Sequence, residues 1–285
     1  GRTACGTLVL PGTERDRERL RRLPPDEPGA RHVTPREARA AFGIQPAESG
    51  VLHRRGGCIR PDRLALAMQA LHGGRIRLLE GYVDRLVARR DGWTAENAAG
   101  EPLATARTAV IAAGAGCVRL WPNTRRWLLP ARGQATAFQG TAATSGLRVP
   151  VSGGGYVTPA IDGVHWAGAT LQRGETDPLP RADDDRINLT FARDRLGLDA
   201  VPEPVDRFVG FRATTPNRIP LAGDLADGLW ITAGHGAHGL LTAPLCAQLL
   251  AHAIEGHRHP LLRLLGPKRR RDGHSTETHP YRQSP

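Results

Sequence analysis

The stretch that decides the fold runs from Val205 to Ile254 and reads VDRFVGFRATTPNRIPLAGDLADGLWITAGHGAHGLLTAPLCAQLLAHAI. Leu229 to Ala233 is a short apolar run that predicts a buried strand. A glycine turn follows, and leucines then recur at helical spacing. A strand, a turn and a helix in this order aim free backbone amides and the positive end of the helix dipole at one point. The stretch therefore predicts a site for an anionic or electron-rich ligand.

The glycines of this turn spell GxGxxG from Gly234 to Gly239. A dinucleotide fingerprint opens the first βαβ unit and needs an acidic residue about 20 positions later on a second strand. Here the helix runs into Glu255-Gly256 and a basic tail, so no second strand is expected. We interpret the turn as a helix N-terminus that faces a ligand. A plain strand–turn–helix joint is the alternative.

Arg212 stands just past an apolar strand that ends at Phe211. A guanidinium at such a position needs a partner, and its planar fork suits a carboxylate bidentately. Taken by itself, the residue predicts either a ligand clamp or a structural salt bridge.

From Gly210 onward the chain resembles the C-terminal signature of the D-amino-acid-oxidase-like flavoproteins, which include glycine oxidase. It is most similar to the FAD-dependent oxidoreductase half of the bifunctional MnmC family. The shared pattern is Gly-Phe-Arg-x-x-Thr-Pro-x-Arg-x-Pro-x-x-Gly, a strand, and then Gly-x-x-x-x-Gly-Leu opening a helix. The matching residues are Gly210, Phe211, Arg212, Thr215, Pro216, Arg218, Pro220, Gly223, Gly234, Gly239 and Leu240.

The resemblance implies a mixed α/β (α+β) fold. In it, an FAD/NAD(P)-binding-like three-layer domain, N-terminally truncated, is interleaved with an antiparallel-sheet substrate domain. The truncation is expected because the family holds the FAD adenosine and pyrophosphate on an N-terminal βαβ unit, and no such unit precedes Cys5. We predict a substrate-domain or connecting segment at 1–55, FAD-domain segments at 56–116 and 212–262, a substrate-binding sheet at 117–211, and a disordered basic tail at 263–285.

FAD is the cofactor that the resemblance implies. An apolar strand that begins at Thr108 ends in small residues, which let a flat ligand approach the backbone; a tight turn after a buried strand is the alternative. The two histidines of the glycine turn could lie near the flavin or simply pack. The residues implied to contact FAD are Val83, Ala112, Ala113, Gly114, Ala115, Gly234, His235, Gly236, Ala237, His238, Gly239 and Leu240.

Three residues are candidates for catalysis. Arg212 would hold the substrate carboxylate. Arg132, in Pro-Ala-Arg-Gly-Gln, is a candidate cation on the flavin or substrate side, with an ordinary surface arginine as the alternative. Tyr156, in GGGYVTP, would hydrogen-bond the substrate or simply pack. A helix from Asp62 to His72 is predicted to turn most of its apolar side chains inward, namely Leu64, Leu66, Met68 and Leu71.

Composition limits the class of protein. The chain has 285 residues, 40% of them hydrophobic, which indicates a globular protein with a sizeable core. The net charge of +11 suits a polyanionic partner such as tRNA. The alternative is that a GC-rich coding bias, which favours arginine, produces this charge. Four cysteines without metal-like spacing predict reduced thiols, no metal and a cytoplasmic protein. The chain has no apolar run long enough to predict a membrane span.

The family's shared reaction is oxidation of an amine next to a carboxylate. For the MnmC family the resemblance implies oxidation of the carboxymethylaminomethyl group on the wobble uridine of tRNA to aminomethyl, with loss of glyoxylate. Bifunctional members carry a fused N-terminal methyltransferase domain. Two alternatives stay open: oxidation of a free amino acid, as in glycine oxidase or D-amino-acid oxidase, and a truncated fragment without catalysis.

Overall fold

The computed structural model describes residues 2–3, 5–24 and 27–267, and its contacts divide the chain into two compact units. The first unit comprises Gly1–Leu78, Arg132–Gln172 and Asp177–Gly210. The second comprises Leu79–Ala131, Arg173–Thr176 and Phe211–Pro285. Both contain helices and sheets, so the predicted mixed α/β class is confirmed. The predicted domain limits stay a prediction.

Helices are interspersed among runs of strands along the described chain. The strands are β1 Arg2–Thr3, β2 Thr7–Val9, β3 Ala30–Val33, β4 Gly50–His53, β5 Cys58–Ile59, β6 Arg85–Arg89, β7 Gly92–Glu96, β8 Pro102–Ala106, β9 Ala109–Ile111, β10 Leu129–Gln139, β11 Val151–Ser152, β12 Tyr156–Val157, β13 Val164–Gly168, β14 Gln172–Arg173, β15 Pro204–Thr214, β16 Leu221–Ala226 and β17 Leu229–Ala233. The α-helices are α1 Glu14–Arg21, α2 Pro35–Phe42, α3 Pro61–His72, α4 Cys117–Leu120, α5 Ala182–Leu196, α6 Gly239–Ile254 and α7 Leu261–Leu265.

The first unit is built on a nine-stranded mixed sheet in the order β14-β10-β13-β12-β11-β2-β4-β3, with β15 paired to β10. Its core joins apolar residues of these strands to the buried face of α5, which includes Leu189 and Leu196. The helix forms where Asp183 to Asp185 fill the first turn and arginines fill the last, which favours the helix dipole at both ends. Gly197 ends it in the left-handed conformation, with φ of 68°.

Arg132 is buried in this core, so the alternative of an ordinary surface arginine does not apply. Its place on the flavin or substrate side stays a prediction. Its side chain is fully buried, at 0% exposed, and lies 2.5 Å from the Asp184 carboxylate. A guanidinium has five N–H groups, and here each has an acceptor. The acceptors are the Asp177 carbonyl for Nε, Gln172 and Asp184 for Nη1, and Gln134 and the Leu179 carbonyl for Nη2.

The second unit contains two three-stranded sheets. One has the order β16-β17-β9, in which β17 is parallel to β9 and antiparallel to β16. The other is the antiparallel meander β6-β7-β8. Strand β17 has the predicted bounds, and its residues Leu229 and Ile231 are fully buried in the core. The predicted leucine-rich helix is confirmed as α6, which packs Cys246, Leu249 and Leu250 inward.

Two features differ from expectation. Helix α3 forms as predicted but has no buried residue; Leu66 is 55% exposed and Leu71 is 80% exposed. Its leucines were expected to face inward, but α3 packs against no described element of its unit closely enough to bury a side chain. Part of the predicted disordered tail is helical, because Leu265 of α7 packs into the core beside α6. The remainder of that tail from Lys268 lies outside the described residues.

Among the described residues, no helix combines the length and the apolarity needed to cross a bilayer.

We expect Arg132→Met to destabilise the protein by about 3–5 kcal/mol, because it leaves the Asp184 carboxylate buried without a counter-ion. The double variant Arg132→Met/Asp184→Leu should recover part of that loss. Urea denaturation measures both effects. Arg36→Met, on the exposed side of α2, is the matched control and should change stability by less than about 0.5 kcal/mol. An equal effect of the two single variants would contradict the buried-pair role.

His165 gives the first unit a pH-dependent stability. Its ring is buried and stacked on Phe138 at 5.0 Å, Nδ1 donates to the Thr158 carbonyl at 2.8 Å, and Nε2 lies 2.9 Å from the Thr144 hydroxyl. Burial lowers the pKa of His165 below its usual value. The unfolded chain therefore takes up the proton first as the pH falls.

Stability from His165 should be present above a pH of about 6.5, the usual histidine pKa, and should be lost as the pH falls below it. We predict a steeper loss of unfolding free energy between neutral and mildly acidic pH in the wild type than in His165→Gln. Parallel pH slopes for the two proteins would show that His165 does not titrate between the folded and unfolded states.

Candidate functional site

Two turns lie together at one edge of the sheet in the second unit. Strands β9 and β17 are parallel, with Ile111 opposite Ile231. Both strands therefore end at the same edge, which is where open α/β sheets bind ligands. The turns that follow them hold two sets of predicted cofactor residues, 112–115 after β9 and 234–240 after β17.

The glycine turn after β17 depends on the absence of side chains. Gly234 and Gly236 have φ of 73° and 54°, in the left-handed region that favours glycine. A methyl group on Gly234 would lie 2.6 Å from the Thr215 methyl carbon and 3.1 Å from Leu128. The turn is therefore packed tightly against the loop that precedes β16.

Open backbone amides line this turn. Helix α6 begins at Gly239, so its first amides have no intrahelical acceptor. Within the described residues, the amides of Ala237, Gly239 and Leu240 have no hydrogen-bond acceptor. Such amides, at the positive end of a 16-residue helix, suit an anionic or electron-rich group.

Arg212 lies directly beside the turn. The Gly236 amide donates to the carbonyl of the next residue, Ala213, at 3.0 Å. The Arg212 side chain is half-buried, and no carboxylate of the described chain pairs with it. A partly desolvated guanidinium without a counter-ion is a binding group for a ligand carboxylate.

The turn after β9 is open on its ligand side. Ala112 and Ala113 are exposed, and Gly114 has φ of 55°. A methyl group built on Gly114 meets no atom within 4 Å. Small residues beside free space allow a flat ligand to approach the backbone.

A cavity of about 560 Å³ connects this turn to the end of β15, since Ala115 and Phe211 both line it. Its walls are mainly apolar, and its polar lining groups are Arg125 and Thr176. The size and lining fit a small planar ligand. Sequence reasoning missed Arg125 and Thr176, because the lining comes from separate segments that share no motif. The other lining residues are Val118, Leu128, Leu129 and Pro130.

Val83, predicted to meet a cofactor through its backbone, already has a protein partner. Its carbonyl accepts from Arg119, and Arg119 also binds the Asp84 carboxylate at 2.7 Å. The Arg119 guanidinium stacks 4.2 Å from the Tyr82 ring centre. A carbonyl has a second lone pair, so the predicted contact of Val83 stays a prediction.

The two histidines of the glycine turn differ. His238 is exposed and precedes the first residue of α6. His235 is half-buried, with its ring nitrogens 3.1 Å from the Thr232 hydroxyl and 2.9 Å from the Thr242 hydroxyl. Since both nitrogens have protein partners, only the backbone of His235 is left for a cofactor. Burial also lowers the pKa of His235.

Tyr156 belongs to the first unit and lies in β12, half-buried and paired with Ser152 of β11 and Gly168 of β13. Its substrate contact stays a prediction.

The groups at the edge of β9 and β17 fit FAD. Open amides suit the electron-rich parts of a flavin nucleotide, and the small-residue turn leaves room for a planar ring. The lone guanidinium suits a carboxylate substrate next to that ring.

Curated relatives share most of the chain. The tRNA 5-methylaminomethyl-2-thiouridine biosynthesis bifunctional protein MnmC of Burkholderia cenocepacia is 35% identical over 80% of this chain and 40% of its own length. The protein of the same name from Aromatoleum aromaticum is 36% identical over 92% of this chain and 45% of its own length. The chain thus spans less than half the length of these relatives.

Solved structures share the fold. Glycine oxidase from Geobacillus kaustophilus has a TM-score of 0.75 at 22% identity, covering 91% of this chain and 73% of that protein. Iminodiacetate oxidase from Chelativorans sp. BNC1 has a TM-score of 0.73 at 25% identity, covering 93% of this chain and 77% of that protein. The family model described as FAD dependent oxidoreductase matches residues 1–253. Because that match takes in most of the sequence, the protein belongs to the FAD dependent oxidoreductase family and uses FAD as its cofactor.

Proposed function

We propose that the chain is the oxidoreductase part of a tRNA-modifying enzyme, which oxidises the carboxymethylaminomethyl group on a wobble uridine to aminomethyl. The names of the curated relatives support the tRNA substrate. The observation that carries the chemistry is Arg212, half-buried beside the glycine turn and without a carboxylate partner in the described chain.

The substrate group is a secondary amine that joins a CH₂ on the uracil ring to a CH₂ that carries a carboxylate. FAD supplies the acceptor for a hydride, that is, for two electrons and a proton. Loss of hydride from the carboxymethyl carbon, together with the amine proton, gives a C=N bond. Water adds to that bond and the C–N bond breaks, so glyoxylate leaves and the aminomethyl group stays on the tRNA.

In this scheme the residues of the chain bind the substrate and the cofactor and orient them. Arg212 holds the carboxylate through two parallel N–H···O bonds and thereby fixes the adjacent CH₂. The open amides of Ala237, Gly239 and Leu240 stabilise negative charge that develops at the cofactor. The apolar walls of the cavity that Phe211 and Ala115 line limit the access of water during hydride loss.

The same proposal includes tRNA as the partner, a cytoplasmic location and a fused domain. A net charge of +11 attracts a polyanion, and electrostatic attraction would bring tRNA to the protein at a high rate. We place this activity in the cytoplasm, where tRNA is modified. The bifunctional relatives are more than twice as long as the segment they share with this chain, so a fused methyltransferase domain belongs to the same proposal.

We expect Arg212→Ala, in full-length FAD-loaded protein, to lower kcat/KM for undermodified tRNA by about 10²–10³-fold, because one charge-assisted bidentate contact is lost. Arg212→Lys should keep part of the activity, since it retains the charge but not the fork. Mass spectrometry of tRNA nucleosides measures the conversion.

Arg90→Ala, at an exposed turn of the same unit, is the matched control and should leave conversion near the wild-type rate. Unchanged turnover in Arg212→Ala would refute the carboxylate role. Rapid oxidation of glycine or sarcosine by the wild type, with no conversion of tRNA, would instead identify a free amino-acid oxidase.

A further inference from the structure

A threonine–histidine–threonine bridge closes the base of the glycine turn. His235 lies within the turn, Thr232 lies in β17 before it, and Thr242 lies in the first turns of α6 after it. The His235 ring joins them, with Nε2 at 3.1 Å from the Thr232 hydroxyl and Nδ1 at 2.9 Å from the Thr242 hydroxyl. The ring therefore ties the end of the strand to the start of the helix.

The hydrogen-bond partners give the bridge one consistent direction. The Thr242 hydroxyl donates its proton to the His238 carbonyl at 3.0 Å, so toward the ring it can only accept. Nδ1 of His235 must then carry a proton, and Nε2 of the neutral ring accepts from the Thr232 hydroxyl. The depressed pKa of His235, caused by burial, agrees with a neutral ring.

The segment that this bridge spans is rich in glycine, so ordering it costs conformational entropy. It contains Gly234 and Gly236, both with positive φ, and glycine loses more conformational freedom on ordering than other residues. Apart from the bridge, the turn has few backbone hydrogen bonds among the described residues. The Gly236 amide donates to the Ala213 carbonyl, the His238 amide donates to the His235 carbonyl, and the His238 carbonyl accepts from the Leu241 and Thr242 amides. The open amides of Ala237 and Gly239 lie between these points.

We propose that His235 is a positioning residue, whose ring holds the glycine turn and the first amides of α6 in the arrangement that receives the flavin cofactor. The side chain itself would not touch the cofactor, because both of its nitrogens are engaged by threonines. This inference rests on the proposed site at the turn but not on the choice of tRNA as substrate.

The test uses Thr242→Val and His235→Phe in full-length, FAD-loaded protein. Thr242→Val keeps the side-chain shape and removes one bond of the bridge, together with the Thr242 hydroxyl bond to the His238 carbonyl. His235→Phe removes both bonds of the bridge. We expect the Kd for FAD to rise by about five- to tenfold in each, as loss of one or two hydrogen bonds implies. The visible absorption of the bound flavin should shift, and amide exchange across 234–242 should accelerate.

Thr105→Val is the matched control, since it removes an equivalent hydroxyl contact, the 3.0 Å bond to Thr94 in the β7–β8 pair. It should leave the FAD affinity and flavin spectrum unchanged. His235→Gln, which retains a donor and an acceptor, should restore part of the affinity.

If Thr242→Val binds FAD with wild-type affinity and an unshifted spectrum, the positioning role is overturned, whatever happens to the melting temperature. If His235→Phe fails to fold, Thr242→Val still decides the matter. Because every readout is made without tRNA, failure of this inference is distinct from failure of the proposed tRNA reaction.

Discussion

The candidate site depends on one steric constraint, the close approach of Gly234 to Thr215 and Leu128. Any Cβ at Gly234 would come within 2.6 Å of the Thr215 methyl carbon, and the backbone there has positive φ. Only glycine satisfies both conditions without strain. This contact brings the turn after β17 against the loop that leads into β16, and so keeps the open amides of α6 beside the end of β15, where Arg212 lies.

Arg132 and Arg212 differ in burial and in their hydrogen-bond partners. Arg132 is fully buried, and protein acceptors satisfy all five of its donors, so it stabilises the first unit and has nothing left for a ligand. Arg212 is only half-buried, and no described carboxylate neutralises it. Burying a charge without a partner costs much free energy of folding. A partly hydrated charge without a partner costs less, so it can remain unpaired until a ligand binds. That difference in burial and ion pairing is the reason why we propose Arg212, and not Arg132, as the arginine that binds the substrate carboxylate.

The sequence predicted local elements well where periodicity and turn chemistry agree. Strand β17 follows from an apolar run, and helix α6 follows from a leucine repeat. Sequence patterns did not reveal contacts between residues that are distant in the chain. Asp184 lies 52 residues from Arg132, so the motif around Arg132 gives no sign of the buried ion pair. The His235 bridge was missed for a different reason, because threonine and histidine near a turn carry no distinctive pattern.

The central claim is that Arg212 and the amides at the start of α6 form one site. A crystal structure of the full-length, FAD-loaded protein with glycolate, an inert carboxylate, tests it most directly. The account predicts both carboxylate oxygens within hydrogen-bond distance of the Arg212 guanidinium, and the flavin ring against the amides of Ala237 to Leu240. A carboxylate bound elsewhere, or Arg212 paired with a carboxylate of the protein itself, would contradict it.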